Sequence, residues 1–327
     1  MRAWQVERLG EPREALTLAE LPDPSPGPGQ LLVRVRAAAA NFPDVLMCRG
    51  GYQVRPELPF IAGVELCGEA VAAGPGVTGF AAGARVIGGP AGGSGAFAEL
   101  AVMDADRIVA APDVLDDAEA AAFFIAYQTG WFGLHRRARL APGETLLVHA
   151  AAGGVGSGAV QLGKAAGARV IGVAGGPAKA AAVRALGADV VVDRLSADFV
   201  PVVNEVTGGR GADVVYDPVG GQAYARSVKC IAFEGRILVI GFASGQIPTV
   251  ALNHALLKNY AIVGLHWGLY QSRDPQAIRD AHLRLTKLAA DGAIRPLIGE
   301  RLGLAEVPEG LQRLADGGTI GRTVFLP

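Results

Sequence analysis

The chain has 327 residues, enough for two domains with sizeable cores. Lys plus Arg number 30 against 31 Asp plus Glu, a formal net charge of −1, so no basic excess draws the chain to nucleic acid. Half of the residues are hydrophobic and 19% charged, which excludes a disordered chain; the 46 glycines and 20 prolines have no collagen period and ask for many tight turns.

Met1–Gly10 contains Arg2, Glu7 and Arg8 and shows no apolar signal core. The proline-rich Pro22–Gly29 reads as loop, because proline blocks both helix and central strand. Leu31–Arg36 alternates apolar and charged residues and predicts a strand. Gly68–Ala73, Ala84–Ile87 and Ala96–Val102 are further short strands between glycine turns, so the first third is β-rich. The apolar run Ala120–Tyr127 has eight residues, against the ~20 that a membrane helix needs. From there strands and helices alternate. Thr145–His149 is followed by Val155–Ala166, Arg169–Ala174 by Ala178–Leu186, and Asp189–Asp193 by Ala197–Thr207. Asp213–Asp217 leads to Gln222–Cys230, and Arg236–Gly241 to Leu252–Lys258 and Tyr260–Leu265. Such units, with continuous apolar strands, predict a parallel sheet covered on both faces. Two amphipathic helices, Pro275–Asp291 and Ala305–Ala315, and a strand Arg322–Leu326 complete the chain. Cys48, Cys67 and Cys230 are odd in number and form no CxxC, which argues against a disulfide framework or a structural zinc site. A cytoplasmic setting, with no membrane and no nucleic-acid partner, is expected.

The motif that carries chemistry is Val148–Gly156, a variant of GxGxxG that reads Ala151-x-Gly153-x-x-Gly156. Placed between a strand and a helix inside consecutive βα units, it marks a dinucleotide loop. Ala152, Gly153, Gly154 and Val155 let backbone approach a pyrophosphate at a helix start. Gly158–Ala165 nearly matches a phosphate-loop NTPase pattern, but Ala165 stands where a hydroxyl would hold magnesium, and the segment lies within the helix. A fold that selects NADH places an acid at the end of its second strand to bind the ribose 2′-OH. Here Val173–Lys179 has none. Gly175 lies in this stretch as a cofactor-binding candidate, and Lys179 with Arg194 supplies two cations for a 2′-phosphate, so NADPH is the expected cofactor.

Several motifs together resemble the zinc-independent quinone oxidoreductase, or zeta-crystallin-like, branch of the medium-chain dehydrogenases/reductases. They are Asn41–Leu46 with Gly51-Tyr52, Gly63–Gly68, Gly76–Phe80 followed by Gly83–Val86, Ala150–Gly156, and Tyr216–Gly221. The resemblance covers almost the whole chain. It implies an α/β fold in which a GroES-like β-rich catalytic domain, residues 1–122 and 268–327, brackets a Rossmann domain, residues 123–267, with a doubly wound parallel sheet. Zinc-containing relatives carry Cys where Asn41 stands and His where Val64 stands, so no metal site is expected; Gly63 and Glu65 are kept. The four-cysteine lobe is also missing, and the five histidines form no cluster. The resemblance places Asn41 and Thr129 near the nicotinamide and Lys179 on the 2′-phosphate, and many relatives have tyrosine where Arg194 stands. It assigns the loop Gly241-Phe242-Ala243 and the segment from Leu265 to Trp267 to the nicotinamide's surroundings.

No GxSxG is present, so nucleophilic hydrolysis is not the expected chemistry. The cofactor supplies hydride, and the protein must hold an electron-poor acceptor and steady the charge growing on its oxygen. Tyr52 and Asn41 are the candidate neutral donors. A quinone or enone acceptor follows from the resemblance. An enoyl-thioester reductase is the alternative, with Tyr52 as proton donor and Arg49 and Arg55 meeting coenzyme A phosphates. A non-catalytic NADPH-binding protein is a third. An apolar edge strand at Tyr260–Leu265, together with the resemblance, leads to an expected homodimer.

Overall fold

A computed structural model describes all 327 residues. The chain forms two compact units, residues 1–125 with 295–327, and residues 126–294. No helix is long and apolar enough to cross a membrane.

The first unit is built on the strand Gln30–Ala39, where Leu31, Val33 and Val35 turn inward and Arg34 and Arg36 outward. This strand pairs antiparallel with Leu66–Ala73 and with Leu100–Asp104. The sheet runs Ile298–Gly303, Arg322–Leu326, Gln30–Ala39, Leu66–Ala73, Arg85–Gly88, Val109–Ala110. A second sheet has Arg2–Val6 between Leu16–Glu20 and Phe60–Ile61. The C-terminal strand enters the core by pairing Val324 with Ala39 and Phe325 with Ala38. Phe325 then stands edge-on to Phe97, ring centroids 5.1 Å apart. Trp4 donates from its ring to the carbonyl of Leu304 at 2.6 Å, and Arg295 pairs with Glu119 at 2.6 Å; both tie the chain's last segment to its first.

The second unit holds six parallel strands in the order Val190–Asp193, Arg169–Ala174, Thr145–Val148, Ala212–Asp217, Ile231–Val239, Ala261–Gly264. Numbered along the chain this is 3-2-1-4-5-6, the doubly wound arrangement whose ligand crevice opens where the order reverses. The strand centres are mostly apolar because helices cover both faces, and the charged residues, such as Arg169 and Asp193, stand mainly at strand ends. The helix Gly154–Ala165 lies so close to the first strand that a Cβ on Gly163 would come within 2.5 Å of Leu146.

Three expectations change. The helix Pro275–Ala290 falls in the second unit, not with the catalytic domain: Gln128 donates to the Ile278 carbonyl at 3.0 Å, and Arg136 pairs with Asp274 at 2.8 Å. The strand expected at 96–102 is Leu100–Asp104; Ala96 to Ala98 instead make a short bridge to the N-terminal strand, where Trp4 donates to the Phe97 carbonyl at 2.9 Å. The strand Ile231–Val239 begins five residues before the expected Arg236, across an irregularity in its register with Ala212–Asp217 at Glu234 and Gly235.

Candidate active site

The glycine loop leaves the first parallel strand at Val148 and enters the helix Gly154–Ala165 with Gly153 as N-cap. Ala150 takes φ of 48°, and the chain then folds back on itself. A Cβ on Gly156 would lie 2.2 Å from the Ala150 carbonyl oxygen, so only glycine fits there. Ala152 is buried, while Gly153, Gly154 and Val155 are partly open. As at any helix start, the first-turn N–H groups have no intrahelical acceptor and lie at the positive end of the helix dipole.

At the end of the second strand Gly175 has no side chain, and the Arg194 guanidinium lies over it, 3.0–3.2 Å from where a Cβ would stand. Lys179, in the helix Pro177–Ala185, is held below the ordinary lysine range first by burial and then by the Arg194 charge. Two cations therefore crowd one corner. The nearby acid, Asp193, is engaged by the amides of Gly176 at 2.8 Å and Leu195 at 3.0 Å, which keep its carboxyl below the usual range. The corner suits a dianion.

Beyond the fourth and fifth strands two loops interlock. Asp217 accepts from the amides of Val219 at 2.8 Å and Gly220 at 2.9 Å, and Pro218 accepts from Ala243 at 3.0 Å. Gly241 and Phe242 are half-buried there and Ala243 is exposed. Leu265 packs beside Gly133, and Trp267 is buried in a short turn. Thr129 is buried in the helix Phe124–Trp131.

In the first unit Asn41 caps the helix Phe42–Cys48, with proline in its first turn and Asp44 at the third position receiving the Asn41 amide at 2.7 Å. The Asn41 side chain is fully engaged. Its Nδ2 donates to the Ala39 carbonyl at 3.1 Å and to Glu65 Oε2 at 2.9 Å, and its Oδ1 accepts from Arg322 at 2.9 Å. Glu65 Oε2 also accepts from Arg322 Nη2 at 2.5 Å, and Oε1 accepts from the Ile125 amide at 2.6 Å. Burial pushes the Glu65 carboxyl up, and Arg322 leads the contacts that oppose it. Every contact comes from a donor, so the cluster is built around the carboxylate. Tyr52 is half-buried just past the helix, its hydroxyl pushed up by burial first and then by Asp44.

An alcohol dehydrogenase GroES-like domain matches residues 27–113, and a zinc-binding dehydrogenase domain matches residues 154–282. The chain is 38% identical over 301 residues to a quinone oxidoreductase-like protein 2 homolog of Nematostella vectensis, covering 91% of this chain and 82% of that one. The Escherichia coli quinone oxidoreductase complexed with NADPH superimposes over all of both chains, with a TM-score of 0.93 at 30% identity. The chain belongs to the quinone oxidoreductase-like branch of the medium-chain dehydrogenases/reductases. It is also 33% identical over 322 residues to a stretch making up 15% of the phthioceranic/hydroxyphthioceranic acid synthase of Mycobacterium tuberculosis.

One expectation for this oxidoreductase needs correcting. An asparagine amide has two N–H donors, and both of Asn41's are taken. Asn41 thus has no hydrogen left to offer an acceptor's oxygen; it orders the cluster instead. Arg49, expected to meet phosphates, is held by Glu11 in a two-pronged pair at 2.7 Å. Arg322 and Asp44 were missed as site residues. Asp44 had a local signal, three residues after an N-cap asparagine, whereas Arg322 lies 257 residues from the Glu65 it neutralises.

Proposed function

We propose that this oxidoreductase transfers hydride from NADPH to a quinone or a similarly electron-poor enone, without zinc, the second unit holding the cofactor and the first the acceptor chemistry. The observation that carries the reading is the corner where Lys179 and Arg194 meet over Gly175 with no acid at the strand end. A 2′-phosphate relieves the repulsion there, and the tight turn at Gly156 brings backbone amides toward the pyrophosphate. NADPH, when bound, supplies the hydride. Gly153, Gly154 and Val155 hold its pyrophosphate; Gly175, Lys179 and Arg194 its 2′-phosphate; Thr129, Gly241, Phe242, Ala243, Leu265 and Trp267 surround its nicotinamide. Tyr52 gives the proton.

Zinc independence is supported by the residues at the metal positions of zinc relatives. Asn41 and Val64 replace thiolate and imidazole, no group of three His, Cys, Asp or Glu is arranged to hold a metal, and the nearby Glu65 is already neutralised by Arg322.

The test sets 1,4-naphthoquinone against crotonyl-CoA with NADPH. Faster turnover of the quinone is expected. The likeness to part of a Mycobacterium tuberculosis phthioceranic/hydroxyphthioceranic acid synthase favours the second reading, an enoyl-thioester reductase, and that reading wins if crotonyl-CoA is preferred. Tyr52→Phe separates them further. A delocalised quinone oxyanion loses about 10-fold or less in kcat, whereas an enoyl thioester loses at least ~100-fold, the usual worth of a general acid. NADPH bound and never oxidised would mark a non-catalytic protein.

The same chain forms a homodimer in this proposal. The strand Ala261–Gly264 is paired on one side only, and beside it Leu252, Leu256 and Leu257 are each about three-quarters exposed. Leu256→Asp with Leu257→Asp is expected to give a folded monomer in sedimentation; an unchanged sedimentation coefficient would place any interface elsewhere.

A further inference from the structure

The helix Phe124–Trp131 starts without a capping side chain of its own. The residue before it is Phe123, which has no side-chain oxygen to offer the amides of the first turn. Phe123 and Phe124 are 0% and 1% exposed, so bulk water is kept from this helix start. The acceptor comes from 60 positions away: Glu65 Oε1 takes the Ile125 amide hydrogen at 2.6 Å. Glu65 does for this helix what a serine or aspartate N-cap does for others, and its carboxylate meets the positive end of the helix dipole.

Glu65 is a fixed post. Its carbonyl accepts from the Ala39 amide at 3.2 Å. Two residues earlier Gly63 takes φ of 98°, and its carbonyl accepts from the amides of Gly95 at 2.8 Å and Ala96 at 3.0 Å. A Cβ on Gly63 would lie 2.6 Å from the Phe97 nitrogen, so the turn that delivers Glu65 is closed to other residues. The second carboxylate oxygen is pinned by Asn41 Nδ2 at 2.9 Å and Arg322 Nη2 at 2.5 Å. Asn41 is in turn the N-cap of Phe42–Cys48. One carboxylate thus joins two helix starts, and neither can slide or turn without breaking a charge-assisted hydrogen bond. Thr129 lies four residues after Ile125, one turn on along the same face of its helix.

We propose that Glu65 is a positioning residue for hydride transfer: by capping Phe124–Trp131 it sets the height and rotation of the turn that presents Thr129 to the nicotinamide. The inference rests on the function proposed above, in which Thr129 lies against that ring. Glu65 touches neither cofactor nor acceptor in this role and exchanges no proton; it acts through the helix. The leverage is geometric, because a misplacement of about 1 Å can cost about 100-fold in rate.

Removing Glu65 alone would strand Arg322 as a buried cation, so the test removes both charges together. Glu65→Gln with Arg322→Met keeps an oxygen for the Ile125 amide; Glu65→Met with Arg322→Met keeps the length and loses the acceptor. In protein without cofactor, hydrogen exchange at the Ile125 amide, read by NMR, is expected to be about 5-fold or more faster in the second variant than in the first, the usual worth of a cap. With NADPH and 1,4-naphthoquinone, kcat is expected to be about 10-fold or more lower in the second than in the first. KM for NADPH is expected to stay the same in both, since Lys179, Arg194 and the glycine loop hold the rest of the cofactor. Thr129→Val is expected to slow the first variant and to add little to the second, where the placement it depends on is already lost. Should either double variant not fold, Glu65→Asp replaces it: the charge is kept, the reach is one methylene short, and the same two changes are expected against wild type. Equal kcat in the two double variants despite faster Ile125 exchange would make the cap structural only and overturn the proposal. So would Ile125 exchange that does not change. Wild-type protein that turns over no acceptor would defeat the functional reading and the role of Thr129 with it; the exchange reports on the cap without any turnover.

Discussion

Replacing Lys179 and Arg194 together with alanine is expected to weaken NADPH binding by about 100-fold or more and to leave NADH binding within a few-fold. A hydrogen bond to a charged group contributes roughly 1.5–3 kcal/mol, so two contacts to a phosphate dianion reach that loss even after the exposed Arg194 is discounted for screening. Lys179 is the more sheltered of the pair, and its single replacement is expected to cost more than that of Arg194. Raising the salt concentration shrinks the Arg194 share first. Fluorescence titration with both nucleotides measures this. Equal weakening of NADPH and NADH would mean that the two cations only hold the local fold, and the cofactor assignment would fall with that result.

Arg322→Ala is expected to lower the stability of the first unit by about 3–5 kcal/mol, the cost of leaving a buried carboxylate without its cation. Glu65 is fully buried and the Arg322 side chain is 5% exposed, so water enters too little to take the guanidinium's place. Asn41 loses its acceptor contact with Arg322 in the same change, which frees its amide to turn. Adding Glu65→Gln to Arg322→Ala is expected to recover part of the loss, because a neutral amide is cheaper to bury than a carboxylate. Urea unfolding followed by a probe in the first unit reads both variants. A loss below about 1 kcal/mol would show that solvent reaches the cluster and that the pair behaves like a surface salt bridge.

Much of the second unit was legible in the residues because its signals are local. Arg169–Ala174 and Leu252–Lys258 form with the expected bounds, and the glycine loop sits between its strand and helix as the spacing requires. A Gly156 that must clear the Ala150 carbonyl is a constraint between neighbours six positions apart, and a motif records it. The missing acid at the second strand's end is likewise a property of a few consecutive residues.

The first unit was less legible. Arg2–Val6 and Leu16–Glu20 are short, carry polar residues and are stable only because they pair with each other. The segment expected at Ala96–Val102 shifted because the N-terminal strand captures its first half, a contact across more than ninety residues. The helix Pro275–Ala290 has an amphipathic pattern that says it needs a partner without saying which; Gln128 and Arg136 decided that.

The amino-acid order by itself determined the family motifs, the glycine loop, the parallel βα units and the two cations, since each arises from residues close in the chain. Which side chains are spent and which remain to act was decided only by tertiary structure. Asn41 read as a free donor until Glu65 and Ala39 took its hydrogens, and nothing near Glu65 in the chain announced Arg322, which arrives from the far end to neutralise it. Charge balance in a sealed interior is a sum over everything that folding brings together, and no stretch of sequence contains that sum.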